Sequence, residues 1–452
     1  MHEKTYTHAK KSVYAGALTL LALAPAADRL AAQEQRSSDG AFHYVTYNLG
    51  TLGGSSSSGN AINDLGWVFG NANLKGDQAT HAAVWIDGMK FDLGTLGGPN
   101  SVTEWPVHND RGVIPGFAQT AELDPLQESW SCAAFFPPTT NNVCAGFRWF
   151  EGTMTRLPTL GGTNGYAAGV NQRGEIVGWA ENTVHDSTCN LPQVLQFEAV
   201  IWRPDGKIRE LPPLPEDQDG AATAINDRGD VVGISGTCDN AVGAYTAKHA
   251  VIWHDGVPFF IKTFGGKGWN TPADINNHGQ VVGFADLPGD VVDGVLTPQP
   301  VAFIWSEGAG IQKILPLPGD TNTIAYAINN RGQVVGQSFG GPEGSRAFVW
   351  QNGKSYDLNS FLPLGSPLYL VFAEGINDRG EITGGACVPV DGSCATATLA
   401  PAFLAIPSWA PNSEDASEAA PLAEAAAAGP VSQVTVAREV YLRPLRRWGF
   451  KP

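Results

Sequence analysis

Charge is scarce in this sequence, and basic charge is scarcest. Of 452 residues, 28 are Lys or Arg and 44 are Asp or Glu, a formal net charge of −16. A chain of that sign repels phosphate backbones and anionic headgroups, so neither a nucleic-acid partner nor an electrostatically held membrane surface is expected. Beyond the first residues there is no apolar run long enough to span a bilayer. Metal motifs are missing too: no C-x-x-C, and no histidine at zinc-finger spacing. Neither a G-x-S-x-G elbow, an H-E-x-x-H helix nor a phosphate-cradling loop is present. No metal and no cofactor are therefore expected. The 54 glycines and 31 prolines follow no strict G-X-Y period, which excludes collagen. At 43% hydrophobic and 10% aromatic, the chain has the material for a core, and global disorder is excluded as well.

The first 32 residues have the layout of an export signal. Lys4, Lys10 and Lys11 form a basic start, and Tyr14 to Leu23 is an apolar stretch. Ala24-Pro25-Ala26 offers a small-x-small cleavage motif, with a second at Ala31-Ala32. Such a run is too short for a spanning helix. The mature chain is expected to be extracellular or periplasmic, with no membrane span. Six cysteines, an even number, suit disulfides in that setting: Cys132, Cys144, Cys189, Cys238, Cys387 and Cys394.

One phrase then recurs seven times. Its asparagines are Asn63, Asn109, Asn171, Asn226, Asn276, Asn329 and Asn377, each followed three residues later by glycine, at spacings between 46 and 62. A repeat near 50 residues signals a repeat architecture. Each unit reads as four strands. Ala-x-Ala-Ile-Asn leads into an Asn-x-x-Gly turn, then a short Val-Val-Gly strand, as in Val231 to Gly233. A variable loop precedes a third strand ending in tryptophan, at Trp85, Trp149, Trp202, Trp253, Trp305 and Trp350. A tight X-Gly turn such as Asp255-Gly256 follows, which is a strong hairpin signal. The fourth strand runs to Leu-x-x-Leu-Gly-Gly, as in Leu93 to Gly98.

Seven units of four antiparallel strands predict an all-β fold, a seven-bladed β-propeller. An open solenoid is the alternative architecture. The apolar slots Ile62, Val170, Ile225, Ile275, Ile328 and Ile376 are expected to pack between blades. The seventh unit stops after three strands, near Ala402-Phe403-Leu404, whereas the chain opens with an orphan fourth strand at Phe42 to Gly54. That N-terminal strand is expected to complete blade seven and close the ring. The resulting organisation is a signal at 1–32, a propeller at 41–407, an Ala/Glu/Pro-rich linker at 408–430 and a basic tail at 431–452.

The repeat resembles the HAF family of probable extracellular repeats, with its Leu-Gly-Gly, Ile-Asn-x-x-Gly-x-Val-Val-Gly and His-Ala-Phe-x-Trp phrases. The likeness covers residues 48 to about 406. The eponymous triplet is degenerate, at His81-Ala-Ala, His249-Ala-Val, Arg346-Ala-Phe and Pro401-Ala-Phe. The resemblance implies an exported bacterial protein and carries no established activity. Kelch repeats have a similar length, but their diglycine follows the second strand rather than the fourth.

In such a meander, alternate turns lie at opposite ends. The Asn-x-x-Gly and X-Gly turns share a short, uniform face; the other face holds the variable loops and all six cysteines. Cys132–Cys144 and Cys387–Cys394 are expected to close local loops, and Cys189–Cys238 to staple blades three and four. Blade two departs most from the pattern: its long loop carries Trp130, His108 replaces the inner apolar slot, and Pro115 interrupts the second strand. A glycan or protein ligand is expected to contact aromatics on the long-loop face, namely Trp105, Trp130, Tyr166 and Trp269, beside His108. Acidic Asp286, Asp290 and Asp293 in blade five read as a solvated loop rather than a calcium site. An interaction scaffold, acting as a monomer, is thus the leading expectation. The alternatives are a polymer-degrading hydrolase or lyase with a channel-mouth site drawn from His108, Glu104 and Glu374, or a structural envelope protein.

Overall fold

The computed structural model describes residues 42–409, except 129–135, 137–139, 239–246, 293–294 and 395. The expected signal at 1–32 and nearly all of the linker and tail lie outside the described residues. Seven four-stranded antiparallel sheets make up the fold, a seven-bladed β-propeller, with one added two-stranded hairpin in blade five. Blade 4 is representative: Asp219–Ile225, Val231–Gly236, His249–His254 and Val257–Ile261 pair in sequence order. Residues at or just after the ends of the first strands of six units, with His108 of blade 2, surround one shared cavity, so the first strands are the innermost and mark the axis.

The ring closes as the orphan strand predicts. Blade 7 takes three strands from the end of the described chain, Tyr369–Ile376, Ile382–Cys387 and Ala402–Trp409, and its fourth from the beginning, Phe42–Asn48. That pairing is antiparallel, from Phe42 opposite Trp409 to Asn48 opposite Phe403. Closure leaves no blade open on its neighbour's side.

The core lies between blades. One cluster joins Val177, Ala199, Ile201 and Leu211 of blade 3 to Ile225, Val231, Val251 and Trp253 of blade 4. The expected inter-blade apolar residues, Ile62 through Ile376, are all buried. Two tryptophans add a polar anchor to the preceding blade: Trp202 Nε1 donates to Pro158 O at 2.8 Å, and Trp253 Nε1 to Pro212 O at 2.7 Å.

The glycine of each second strand has a reason beyond turn-making. In blade 4, a Cβ on Gly233 would stand 2.1 Å from the carbonyl oxygen of Ala221. The inner strand bulges at that point, between Ala222 and Ala224, and pushes its backbone toward the second strand. Only glycine leaves room for it. Blade 2 is the exception in its inner strand, which ends at Val102. Pro115 therefore lies where no ladder partner on that side requires its missing N–H.

If strand Phe42–Asn48 closes the ring, a chain beginning after Gly54 leaves blade 7 with three strands and an open edge. We expect it to lose the sharp cooperative thermal transition of the full chain by circular dichroism. A melt superimposable on that of the full chain contradicts the closure.

Candidate functional site

The short-turn face is held by a repeated hydrogen-bond pattern. Each turn asparagine accepts two backbone N–H groups through its Oδ1; Asn226, for example, takes those of Arg228 and Asp230, both at 3.0 Å. Its Nδ2 donates to the backbone carbonyl of the corresponding asparagine in the next blade. The sequence runs Asn63 to Asn109, Asn171, Asn226, Asn276, Asn329 and Asn377, and Asn377 returns to Asn63 at 2.9 Å. The following residue forms a second closed circle. The N–H groups of Asp64, Asp110, Gln172, Asp227, Asn277, Asn330 and Asp378 each donate to the side chain of the next member. The side chains around this mouth are therefore engaged in joining blades.

Below the mouth, His108 of blade 2 reaches across the axis to blade 5. Its Nε2 lies 2.9 Å from Oδ1 of Asp274, a fully buried carboxylate whose Oδ2 accepts the N–H of Ile328 at 2.9 Å. Burial opposes the imidazolium, but the charge and hydrogen bond of Asp274, aided by Asp227 and Asp64, outweigh it and raise the His108 pKa to about 9. The pair is a strut. On its outer side the mouth cavity is about 70 Å³. On its inner side a void of about 10 Å³ lies between His108 and Glu374, the space of a single water. Glu374 accepts from Ser58 Oγ at 3.3 Å. Burial and its neighbour Glu104 hold Glu374 well above the usual carboxylate range, and burial raises Glu104 as well.

The three enzyme candidates are each half-buried: His108 and Glu374 line the same small pocket, and Glu104 is close enough to raise Glu374. Among the described residues no group of three or more acidic, histidine or cysteine side chains is arranged to hold a metal ion. Other histidines are absorbed structurally: His81 pairs with Asp92 at 2.8 Å and His249 with Asp217 at 2.6 Å. Arg346, which leads the same strand triplet in blade 6, pairs with Asp320 at 2.8 Å.

The long-loop face has a different chemistry. Trp105, Tyr166 and Trp269 do come together there, in one apolar cluster. Tyr166 is interior, and Trp105 and Trp269 are half-buried. Tyr166 is 5% exposed and stacks on Phe117 at 4.2 Å, while Trp105 Nε1 donates to its hydroxyl at 2.5 Å. Trp269 packs edge-on against Phe284 at 4.6 Å. The expectation of exposed rings is corrected for Tyr166, which is buried, whereas Trp105 and Trp269 pack against the cluster and keep part of their surface open. His108 lies apart from them, toward the other face, and Trp130 is outside the described residues.

Loops on this face are tied across blades 2, 3 and 4. Glu128, in the blade 2 loop, accepts the N–H groups of Val194 and Leu195 at 2.7 and 2.6 Å. Cys189–Cys238 links blades 3 and 4, with a Cα separation of 4.7 Å, and Cys387–Cys394 closes the blade 7 loop. Cys144 is disulfide-bonded, and its expected partner Cys132 lies outside the described residues. Above these ties, the exposed large apolar side chains are aliphatic: Leu123, Leu126, Val184 and Leu191. The last is 86% exposed. Nothing in the sequence marks these four apart from core leucines and valines except their position in variable loops.

The same blades bury carboxyls that the sequence reading missed, although an acid inside an apolar strand, such as Glu198 in Leu195–Trp202, is a signal for one. Burial raises Glu198 to about 8, with help from Glu210. It also raises Asp219 to about 8, where Asp186 adds a hydrogen bond and a like charge. Glu181 rises to about 7 by burial and the charge of Glu128. In blade five, Asp286 and Asp290 are buried, not solvated: they cap the backbone N–H groups of Lys267, Gly268 and Trp269. Asp293 is outside the described residues.

No protein-family model matches the chain, and no curated protein sequence does. Among solved structures, the chain is similar to virginiamycin B lyase from Staphylococcus aureus at 13% identity, covering 81% of this chain and 99% of that one, with a TM-score of 0.41. It is also similar to puromycin hydrolase at 11% identity, covering 74% and 50%, TM-score 0.42. A third likeness, to AofleA from Arthrobotrys oligospora, has 9% identity, covers 71% and 90%, and has a TM-score of 0.34. Likenesses this distant carry no argument about activity.

The buried acids and His108 make stability depend on pH in one direction. A carboxyl with a higher pKa in the fold than in the unfolded chain binds its proton more tightly when folded. Its contribution is complete below about 4 and is lost as pH rises through the folded value. Glu181, Glu198 and Asp219 lose theirs on passing pH about 7 to 8. His108 keeps its contribution below about 6.5 and loses it through about 9. The melting temperature should therefore fall from pH 5 to pH 9, and Glu198→Gln/Asp219→Asn should flatten the fall between pH 6 and 8. A melting temperature that rises over that interval contradicts the assignment.

Proposed function

We propose that this protein is an exported binding scaffold of the HAF-repeat kind, and that it engages an extracellular protein through the long-loop face over blades 2 and 3. The observation that supports this most is the inversion of polarity on that face. Among the described residues of that face, Tyr166 is buried and Trp105 and Trp269 are half-buried, whereas the exposed large apolar side chains over blades 2 and 3 are the aliphatic Leu123, Leu126, Val184 and Leu191. Aliphatic contacts on a rigid rim suit a protein surface better than a glycan. Loops on a fixed scaffold are where recognition concentrates, and here the disulfide and the Glu128 bonds limit the ordering cost of binding. Two disulfides among the described cysteines favour an oxidising compartment, in keeping with the export signal.

The alternative of a channel-mouth hydrolase or lyase has less support. The pocket between His108 and Glu374 is small, about 10 Å³, and the acids at the mouth are committed to inter-blade hydrogen bonds. An envelope protein of purely structural role would need no exposed aliphatic loops.

The test uses the full chain on glycan and extracellular-protein arrays. We expect protein ligands, with binding reduced at least tenfold by Leu123→Ser/Leu191→Ser and the melting temperature unchanged. Glycan binding that is insensitive to the double variant would overturn the reading.

A further inference from the structure

A second surface stands out by comparison among the seven blades. Outer strands face solvent, and those of five blades carry formal charge: Lys90 and Asp92, Arg156, Arg209 and Glu210, Lys313, and Lys354 and Asp357. Charge on an edge strand guards it against unwanted contacts. Blade 7's outer strand, Phe42–Asn48, has no Lys, Arg, Asp or Glu, but its large apolar side chains are at least half buried. The outer strand of blade 4 is Val257-Pro258-Phe259-Phe260-Ile261, with no charge at all. Val257, Phe259 and Phe260 are 54%, 50% and 51% exposed, and no other described outer strand exposes a large apolar side chain.

The backbone of this edge decides how it can be covered. Asp255 and Gly256 form a two-residue turn with φ of +50° and +84°, so His254 and Val257 are a hydrogen-bonded pair. Ile252/Phe259 and Ala250/Ile261 then bond in the same way, leaving Pro258 and Phe260 with outward-facing backbone. Pro258 has no N–H to offer, so only Phe260 presents a donor. Addition of a long strand is crippled, while the side chains remain open to packing. Phe259 lies against His254 and Phe260 against His249, with ring centroids 5.6 and 5.4 Å apart.

The area selects among occupants. An aromatic side chain covers about 150–250 Å², so three half-exposed side chains offer roughly 300 Å². A stable independent partner buries about 800 Å² per side, which argues against a second copy of the chain or a free protein. A tethered segment needs less, because its effective concentration replaces most of the association cost.

We propose that the edge Val257–Ile261 is the dock for the chain's own C-terminal segment, residues 431–452. That segment contains Val434, Val436, Val440, Leu442, Trp448 and Phe450 among five basic residues and one acid, whereas the whole chain has a net charge of −16. Its charge complements the ring, and its apolar side chains match the edge. Residues 410–430 separate it from the last described strand. A coil of that length has a root-mean-square span of about 25 Å and an extended reach of about 70 Å. Blade 4 lies three blades from blade 7 around the ring; a domain of this size has a radius of gyration of about 21 Å and hence a diameter of roughly 54 Å, about twice the root-mean-square span but within the extended reach.

The test is hydrogen exchange with mass spectrometry on the full chain. In the wild type, segment 431–442 and the outward N–H of Phe260 should exchange at least tenfold slower than a coil. Phe259→Ser/Phe260→Ser should release the tail to coil rates and speed tryptic cleavage after Arg438 and Arg447 at least tenfold. The tail variant Val434→Asp/Val436→Asp, which leaves the propeller untouched, should release Phe260 equally. Coil-rate exchange of the tail in the wild type overturns the proposal, as does protection that survives both variants. Sedimentation showing a concentration-dependent dimer that is lost in the Phe variant would also overturn it, because a second copy would then occupy the edge.

Discussion

The asparagine of each Asn-x-x-Gly turn is the constraint on which the ring depends. It folds its own turn by accepting two N–H groups, and it bonds its blade to the next through its amide. One side chain thus couples local structure to assembly. Aspartate would keep the acceptor and lose the donor, and serine has too short a reach for both. Asn is therefore required seven times, while its neighbours vary between Asp, Asn and Gln. Buried bonds of this kind each contribute only about 1 kcal/mol net, but leaving their partners unmatched costs about 1–3 kcal/mol.

This circle also determines where function can lie. It engages the polar side chains of the short-turn face, and the His108–Asp274 pair spans the axis beneath it. What remains for recognition is the opposite face, where loops vary in length without disturbing either the turns or the inter-blade core. The buried carboxyls Glu181, Glu198 and Asp219 lie under that face, and each carries a pKa raised by burial.

Much of the architecture was legible in the sequence because it is periodic. The repeat count, the four strands per blade and the closing strand Phe42–Asn48 all follow from register. So does the pairing of Cys189 with Cys238, because equivalent loops of adjacent blades are neighbours. The site was less legible, since it depends on which side of a strand a residue faces near the axis. Tyr166 and Trp105 read as exposed corner residues, yet Tyr166 is buried and Trp105 half-buried, the indole donating to the tyrosine hydroxyl. His108 stood out as a replacement in an apolar slot, but its partner Asp274 is more than 160 residues away on a blade across the axis. No spacing rule connects those two positions. The repeated glycines mark turns in the sequence, whereas Gly233 makes room for a bulge in the inner strand that no sequence pattern announces.

The central claim is that the seven turns form one circuit rather than seven separate ones. Native-state hydrogen exchange at the N–H groups two and four residues after each asparagine tests this most directly. On replacing Asn377 with Ala, which opens the circuit at the junction of blades 7 and 1, the account predicts faster exchange in all seven turns. Faster exchange confined to blades 6, 7 and 1, with the turns at Asn171, Asn226 and Asn276 unchanged, would contradict it.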